Sequence, residues 1–188
     1  MMEYTHKPVL LEECLNGLNI HPGGIYVDGT LGRAGHSREI AGRLTTGRLI
    51  GIDRDKAALD AAPARLAGHM DKVTLVRGSF GQLPAILSSL GVEGADGMLF
   101  ALGVSSPQLD AGSRGFSYLQ DAPLDMRMDQ SAPLTARDVV NGWDQEELKR
   151  ILWQYGEERY SGPIAAAIVR ERERAPIETT GQLAQLIR

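Results

Sequence analysis

Through the first hundred residues, short runs of apolar side chains alternate with stretches in which apolar positions recur at helical spacing. Residues 25–28, 48–53, 73–76 and 97–102 are the short runs and read as strands, while 8–18, 37–44, 56–66 and about 83–90 read as helices. Pro8 suits a first helical turn, Gly17 falls near that helix's end, and Gly47 breaks the second helix. Strands that are apolar throughout, joined by helices of about ten residues, predict a parallel sheet covered on both faces. The expected fold class is therefore α/β, a Rossmann-like doubly wound arrangement in which ligands sit at the carboxyl ends of the strands. Asp28, Asp53, Phe80 and the segment after Ala101 fall at such ends.

Beyond residue 102 the strand pattern stops. Residues 103–129 are rich in Gly, Ser, Pro and Asp and read as loop; helical periodicity returns at 136–140, 145–155, 164–174 and from Thr179, with Thr179 or Thr180 as the cap of the last helix. The expected organisation is a sheet part over 1–104 with an attached all-helical module over 105–188. Four parallel strands leave an open edge, and no stop signal follows the last helix, so the sheet is expected to be incomplete and the chain cut short.

Composition narrows the classes. Of the 188 residues 43% are hydrophobic and 23% charged, ordinary for a soluble globular protein. No apolar run approaches the roughly 20 residues that span a bilayer, and Met1 to His6 has neither the basic nor the apolar region of an export signal. A single cysteine, Cys14, permits no internal disulfide and suits a reducing cytoplasm; it lies in an apolar-periodic segment, as a small core hydrophobe would. A net charge of −4 counts against a generic nucleic-acid binder, so any RNA partner needs a local basic patch. Arg33, Arg38, Arg43, Arg48 and Arg54 cluster in sequence and read equally well as such a patch or as a solvated face.

The chemistry concentrates in the stretch from Tyr26 to Ser37, a strand ending in a carboxylate, a turn carrying Gly29, Gly32 and Gly35, and a helix start near Ala34. Glycines allow the backbone to approach a ligand, and the free N–H groups of a helix start point into the same space. The spacing is not the G-x-G-x-x-G of nicotinamide folds, which disfavours an oxidoreductase. Asp53, ending the second strand, can hold a ribose diol, of NAD or of S-adenosylmethionine. Asp28 opposes a pyrophosphate but can face an ammonium-bearing cofactor; its structural alternative is a turn or helix cap. His36 can cap the helix or touch the cofactor, and Phe80 can stack on adenine or pack in the core. No His or Cys pair has metal-ligand spacing, so no structural metal is expected.

Several strings carry a resemblance: residues 27–37, Gly51-Ile52-Asp53-Arg54-Asp55, Leu102-Gly103-Val104-Ser105-Ser106-Pro107-Gln108-Leu109-Asp110, Pro123-Leu124-Asp125-Met126-Arg127-Met128-Asp129 and Gly156-Glu157-Glu158-Arg159, together with residues 6–11 and 114–117. The chain resembles the RsmH (MraW) family of S-adenosylmethionine-dependent methyltransferases, which modify N4 of a cytidine in small-subunit ribosomal RNA. The resemblance implies a class I methyltransferase sheet, S-adenosylmethionine as cofactor, small-subunit ribosomal RNA as partner, a cytoplasmic location and no membrane association. It assigns Ala34, Gly35 and His36 to the cofactor turn, Asp53 to the ribose, and Phe80 and Gln108 to further cofactor contacts. It makes the helical module an inserted, RNA-presenting domain. Two departures stand out: Ala101 replaces the family's aspartate, and the family's later strands are missing. The competing reading is a non-catalytic cofactor- or RNA-binding remnant. Arg127 can meet RNA phosphate or pair with Asp125 or Asp129, the alternating charges at 170–174 read as a solvated face, and Trp143 and Trp153 read as core.

Overall fold

The computed structural model describes residues 8–188; the export-signal reading at Met1 to His6, and His6 and Lys7 of the matched string, lie outside the described residues. The chain divides into two compact units, Met1–Gly103 and Val104–Arg188.

In the first unit four parallel strands, β1 (Ile25–Asp28), β2 (Arg48–Asp53), β3 (Val73–Arg77) and β4 (Gly97–Leu99), lie in the order β3-β2-β1-β4. Four helices alternate with them: α1 (Leu11–Leu18), α2 (Gly35–Arg43), α3 (Lys56–Arg65) and α4 (Leu83–Ser89). Alternation along the buried strands sends side chains to two cores. Tyr26 and Leu49 join Leu15, Ile40, Leu44 and Leu66 on one face, under α1 to α3. Val27, Ile50 and Ile52 join Ile86 and Leu87 of α4 on the other. Both faces are covered, as a Rossmann-like α/β sheet requires.

Two elements depart from expectation. The first helix starts at Leu11 after a left-handed Leu10, leaving Pro8 outside it, and closes on a left-handed Asn19 with Gly17 inside. Leu11, Leu15 and Leu18 form its core face, whereas Val9 and Leu10 are largely exposed and Cys14 is half-buried. β4 is three residues long, not six, and Met98, Phe100 and Leu102 are exposed. The strand pairs with β1 alone among the described residues, and its ladder ends where the Leu99 carbonyl accepts from the Gly29 N–H at 2.9 Å.

The second unit is helical: α5 (Ser106–Asp110), α6 (Ala136–Gly142), α7 (Gln145–Gln154), α8 (Ser161–Arg172) and α9 (Thr180–Ile187). Its core joins Leu124, Val140, Leu148, Ala165, Ile168 and Ile177. Capping boxes start α6 (Thr135 with Asp138) and α9 (Thr179 with Gln182), so Thr179 is the last helix's cap. The segment expected as loop contains α5, opened by a capping box of Ser105 and Gln108, and a buried Arg114 that donates to the Arg127 and Met128 carbonyls at 2.9 and 3.0 Å. Arg127 pairs with Asp125 through Nε and Nη2, the latter at 2.6 Å, which pulls the Asp125 carboxyl below its ordinary range. Trp143 packs on the core, but Trp153 is 58% exposed. Two residues of helix rotate about 200°, so Trp153 faces away from Ile151, which joins the core. No helix among the described residues is long and apolar enough to cross a membrane.

Candidate functional site

The tips of β1 and β2 and the turn between β1 and α2 are stitched together by side chains that the sequence places there. Asp28 is 2% exposed. Its carboxylate accepts the Ser37 hydroxyl at 2.6 Å and the Thr30 N–H at 3.1 Å. The buried acid therefore fastens the turn to the Ser37 side chain in the first turn of α2, as a turn carboxylate does, while α2 itself, with Ala34 at its N-cap, has no side-chain cap. Burial pushes its pKa up from the ordinary 3.8, outweighing those hydrogen bonds, and the Asp53 carboxylate adds to the rise.

That shift sets a stability prediction. A folded-state pKa above the unfolded one favours the protonated fold, so the stabilisation is complete below 3.8 and is lost as pH rises through the folded value. Asp28→Asn keeps an acceptor for Thr30 and a donor for Ser37 without the charge. Its stability relative to wild type, measured by thermal unfolding, is expected to rise from acid towards neutral pH; a relative stability that instead falls as pH rises would show that the ionised carboxylate is what the fold needs.

Asp53 is only partly buried. One carboxylate oxygen accepts from the Gly32 N–H at 2.8 Å and the other from the Asp55 N–H at 2.9 Å, which leaves two of the roughly four acceptor positions of a carboxylate open. The Leu31 N–H donates to the Ile52 carbonyl at 3.0 Å, tying the same turn to β2 again. Gly32 and Ala34 are left-handed, at φ 49° and 56°. Ala34 buries its methyl, 1% exposed, so only its backbone can meet a ligand. Gly35 opens α2, and a Cβ there would lie 2.5 Å from Pro8. His36 meets the Val9 carbonyl through Nε2 at 3.0 Å. The Nε of Arg33 is buried without a partner.

Aromatic side chains stand over the strand tips. Phe80 is 41% exposed and contacts Phe100 edge to face, the ring centres 5.6 Å apart. A Cβ on Gly29 would lie 2.3 Å from the Phe100 ring and 3.4 Å from Phe80 Cβ. Phe80 belongs to neither buried core cluster, and the sequence reading passed over Phe100, taking it as an ordinary strand residue. The Ala101 N–H donates to Thr30 Oγ at 2.7 Å. Ala34, Gly35, His36, Asp53 and Phe80 thus all border the β1–α2 turn in the first unit. Gln108 lies in the second unit, 6% exposed, its Oε1 accepting the Ser105 N–H at 3.0 Å. The arginines disperse: Arg48 donates to Thr74 and Arg54 to Ser79, while Arg38 and Arg43 are exposed on α2.

Residues 3–188 match the MraW methylase family. The chain belongs to the MraW methylase family. Its relatives include the ribosomal RNA small subunit methyltransferases H of Brevibacillus brevis, 58% identical over 188 residues, of a Paenibacillus species, 57% over 192, and of Symbiobacterium thermophilum, 52% over 188. These alignments take in 98–100% of this chain. The chain spans 59–61% of the length of those MraW-type relatives.

Proposed function

We propose that this chain carries the S-adenosylmethionine-binding part of an enzyme that methylates N4 of a cytidine in small-subunit ribosomal RNA, in the cytoplasm. The observation that carries the reading is Asp53, a carboxylate at a strand tip with two acceptor positions free, beside a glycine turn and an exposed aromatic ring. The residues fit the cofactor. Asp53 accepts a ribose diol, Phe80 offers a face to adenine, the N–H groups of Gly35 and His36 at the start of α2 are free donors, and Arg33 Nε is an unpaired donor in the turn. Bound S-adenosylmethionine supplies a methyl group on an electrophilic sulfonium. The chain's own task is to hold the cofactor in register and present the target amine in line.

Ala101 favours a second reading, a binding protein that retains the pocket without turnover. Calorimetry with S-adenosylmethionine and S-adenosylhomocysteine tests both. Binding is expected for each, weakened at least about tenfold in Asp53→Ala, since two charge-assisted hydrogen bonds are lost. A flat trace beside measurable NAD binding would overturn the cofactor assignment. Methyl transfer to small ribosomal subunits then separates the enzyme from the binding protein.

A further inference from the structure

A groove of about 430 Å³ lies in the second unit between α7 and the start of α8. Lys149, Arg150 and Arg159 line it against a single carboxylate, Glu146. Lys149 and Arg150 pair with Glu146 and Glu147 only along the helix surface, at 3.2 and 3.7 Å and well exposed. Solvent screens such pairs, and an incoming anion displaces them at little cost. Arg159 makes no hydrogen bond or ion pair among the described residues.

The start of α8 opens into the same groove. Ser161 is 5% exposed and lines the cavity, yet its hydroxyl has no hydrogen-bond partner among the described residues. The Gly162 N–H, in the first turn, has no acceptor within the helix, and Pro163 after it has no N–H. No side chain caps this 12-residue helix; the Glu158 carboxylate is turned back onto the Tyr160 N–H at 2.8 Å. A positive helix end, the unpaired hydroxyl of a buried serine and three cationic side chains together suit a phosphate group. Trp153, 58% exposed, lines the groove as well. A ring face beside a phosphate site matches one nucleotide of a single strand, whose base is free to stack. An acidic peptide would use the cations and leave the ring without a role.

The geometry points to this groove as a binding site for single-stranded RNA, with a phosphodiester on Ser161, the Gly162 N–H, Arg150 and Arg159, and a base on Trp153. The inference rests on the methyl-transfer reading only for which RNA is gripped. The test is titration of the full chain with a fluorescein-labelled single-stranded oligoribocytidylate at several salt concentrations. Trp153→Ala is expected to weaken binding about tenfold with the salt dependence unchanged, because stacking carries no charge. Arg150→Gln with Arg159→Gln is expected to weaken it at least about tenfold and to make the plot of log affinity against log salt shallower by about 0.7, since each phosphate neutralised on a single strand contributes about 0.7. Wild-type affinity and slope in both variants would overturn the site, as would loss of polyglutamate binding with oligonucleotide binding intact. Calorimetry with S-adenosylmethionine on the same proteins keeps the two proposals apart. Equal heats in wild type and variants are expected; no heat in any of them, with oligonucleotide binding still lost in the variants, would refute the methyl-transfer reading and leave the groove standing.

Discussion

Replacing Ala101 with aspartate is expected to raise methyl transfer to small ribosomal subunits about a hundredfold, measured as label incorporated from methyl-labelled S-adenosylmethionine. The exocyclic amine of cytosine is a weak nucleophile because its lone pair is delocalised into the ring. An acceptor that holds an amine hydrogen draws the nitrogen towards tetrahedral geometry and takes up the positive charge that develops on it. Acid–base assistance of this kind contributes about 10²–10⁴ in rate; the lower figure corresponds to about 2.7 kcal/mol. An alanine side chain cannot accept that bond. The backbone at this position is already held, its N–H bonded to Thr30 Oγ at 2.7 Å, so the new side chain starts from a fixed point beside the glycine turn. Residue 101 is exposed, and a carboxylate there stays ionised. Ala101→Asn separates the two contributions, since an amide oxygen orients the amine but takes no proton: it should recover part of the gain. Unchanged turnover and cofactor affinity in Ala101→Asp would sink this account of the position and favour the non-catalytic reading.

Periodicity made β1, β2 and the helices of both units legible, because each buries a continuous apolar face that the chain must repeat at 2 or 3.6 residues. It overreached where burial stops. Phe100, Ala101 and Leu102 read as strand because they are apolar, yet pairing ends at Leu99. Val9 and Leu10 read as helix for the same reason, yet they are exposed. The candidate site was legible through its strand-end positions, which is why Asp53 and the glycine turn stood out together. What Asp28 does was not, since a carboxylate at a strand end looks the same facing a ligand or facing Ser37. Gln108 reads as a cap only once Ser105, three residues earlier, is seen to accept its role in a capping box. Trp153 was misjudged because proximity in sequence to Leu148 and Ile151 was taken for a shared face. Arg114, buried and bonded to two carbonyls, gave no signal, because nothing local marks an arginine whose partners lie 13 and 14 residues away.

Gly47→Ala is expected to destabilise the first unit by about 4 kcal/mol, read from the midpoint of urea unfolding. Gly47 was expected to break a helix, but α2 has already ended at Arg43. The structure instead packs Gly47 backbone to backbone: a Cβ there would lie 2.3 Å from the Gly24 carbonyl oxygen and 2.9 Å from the Gly24 nitrogen. Neither atom is the end of a flexible side chain, so the main chain itself must move. The turn that would shift carries the Arg48 N–H bond to the Gly24 carbonyl at 3.0 Å and the Gly47 and Thr45 N–H bonds to the Pro22 carbonyl at 3.0 and 2.8 Å. Directly after it, Ile25 and Arg48 form the first register pair of the two central strands. Overpacking costs about 1–3 kcal/mol, and each weakened hydrogen bond adds about 0.5–1.5, which together reach the stated figure, a large part of the 5–15 kcal/mol typical of a domain. Gly17→Ala is the matched comparison, a helical glycine whose added Cβ meets nothing within 4 Å. That change should stabilise by about 0.5–1 kcal/mol. Equal midpoints for the two variants would mean that the β1–β2 approach is not held by this glycine contact. Loss of stability with hydrogen exchange accelerated at Ile50 and Val27 would trace the damage to the pair of strands whose tips carry Asp28 and Asp53.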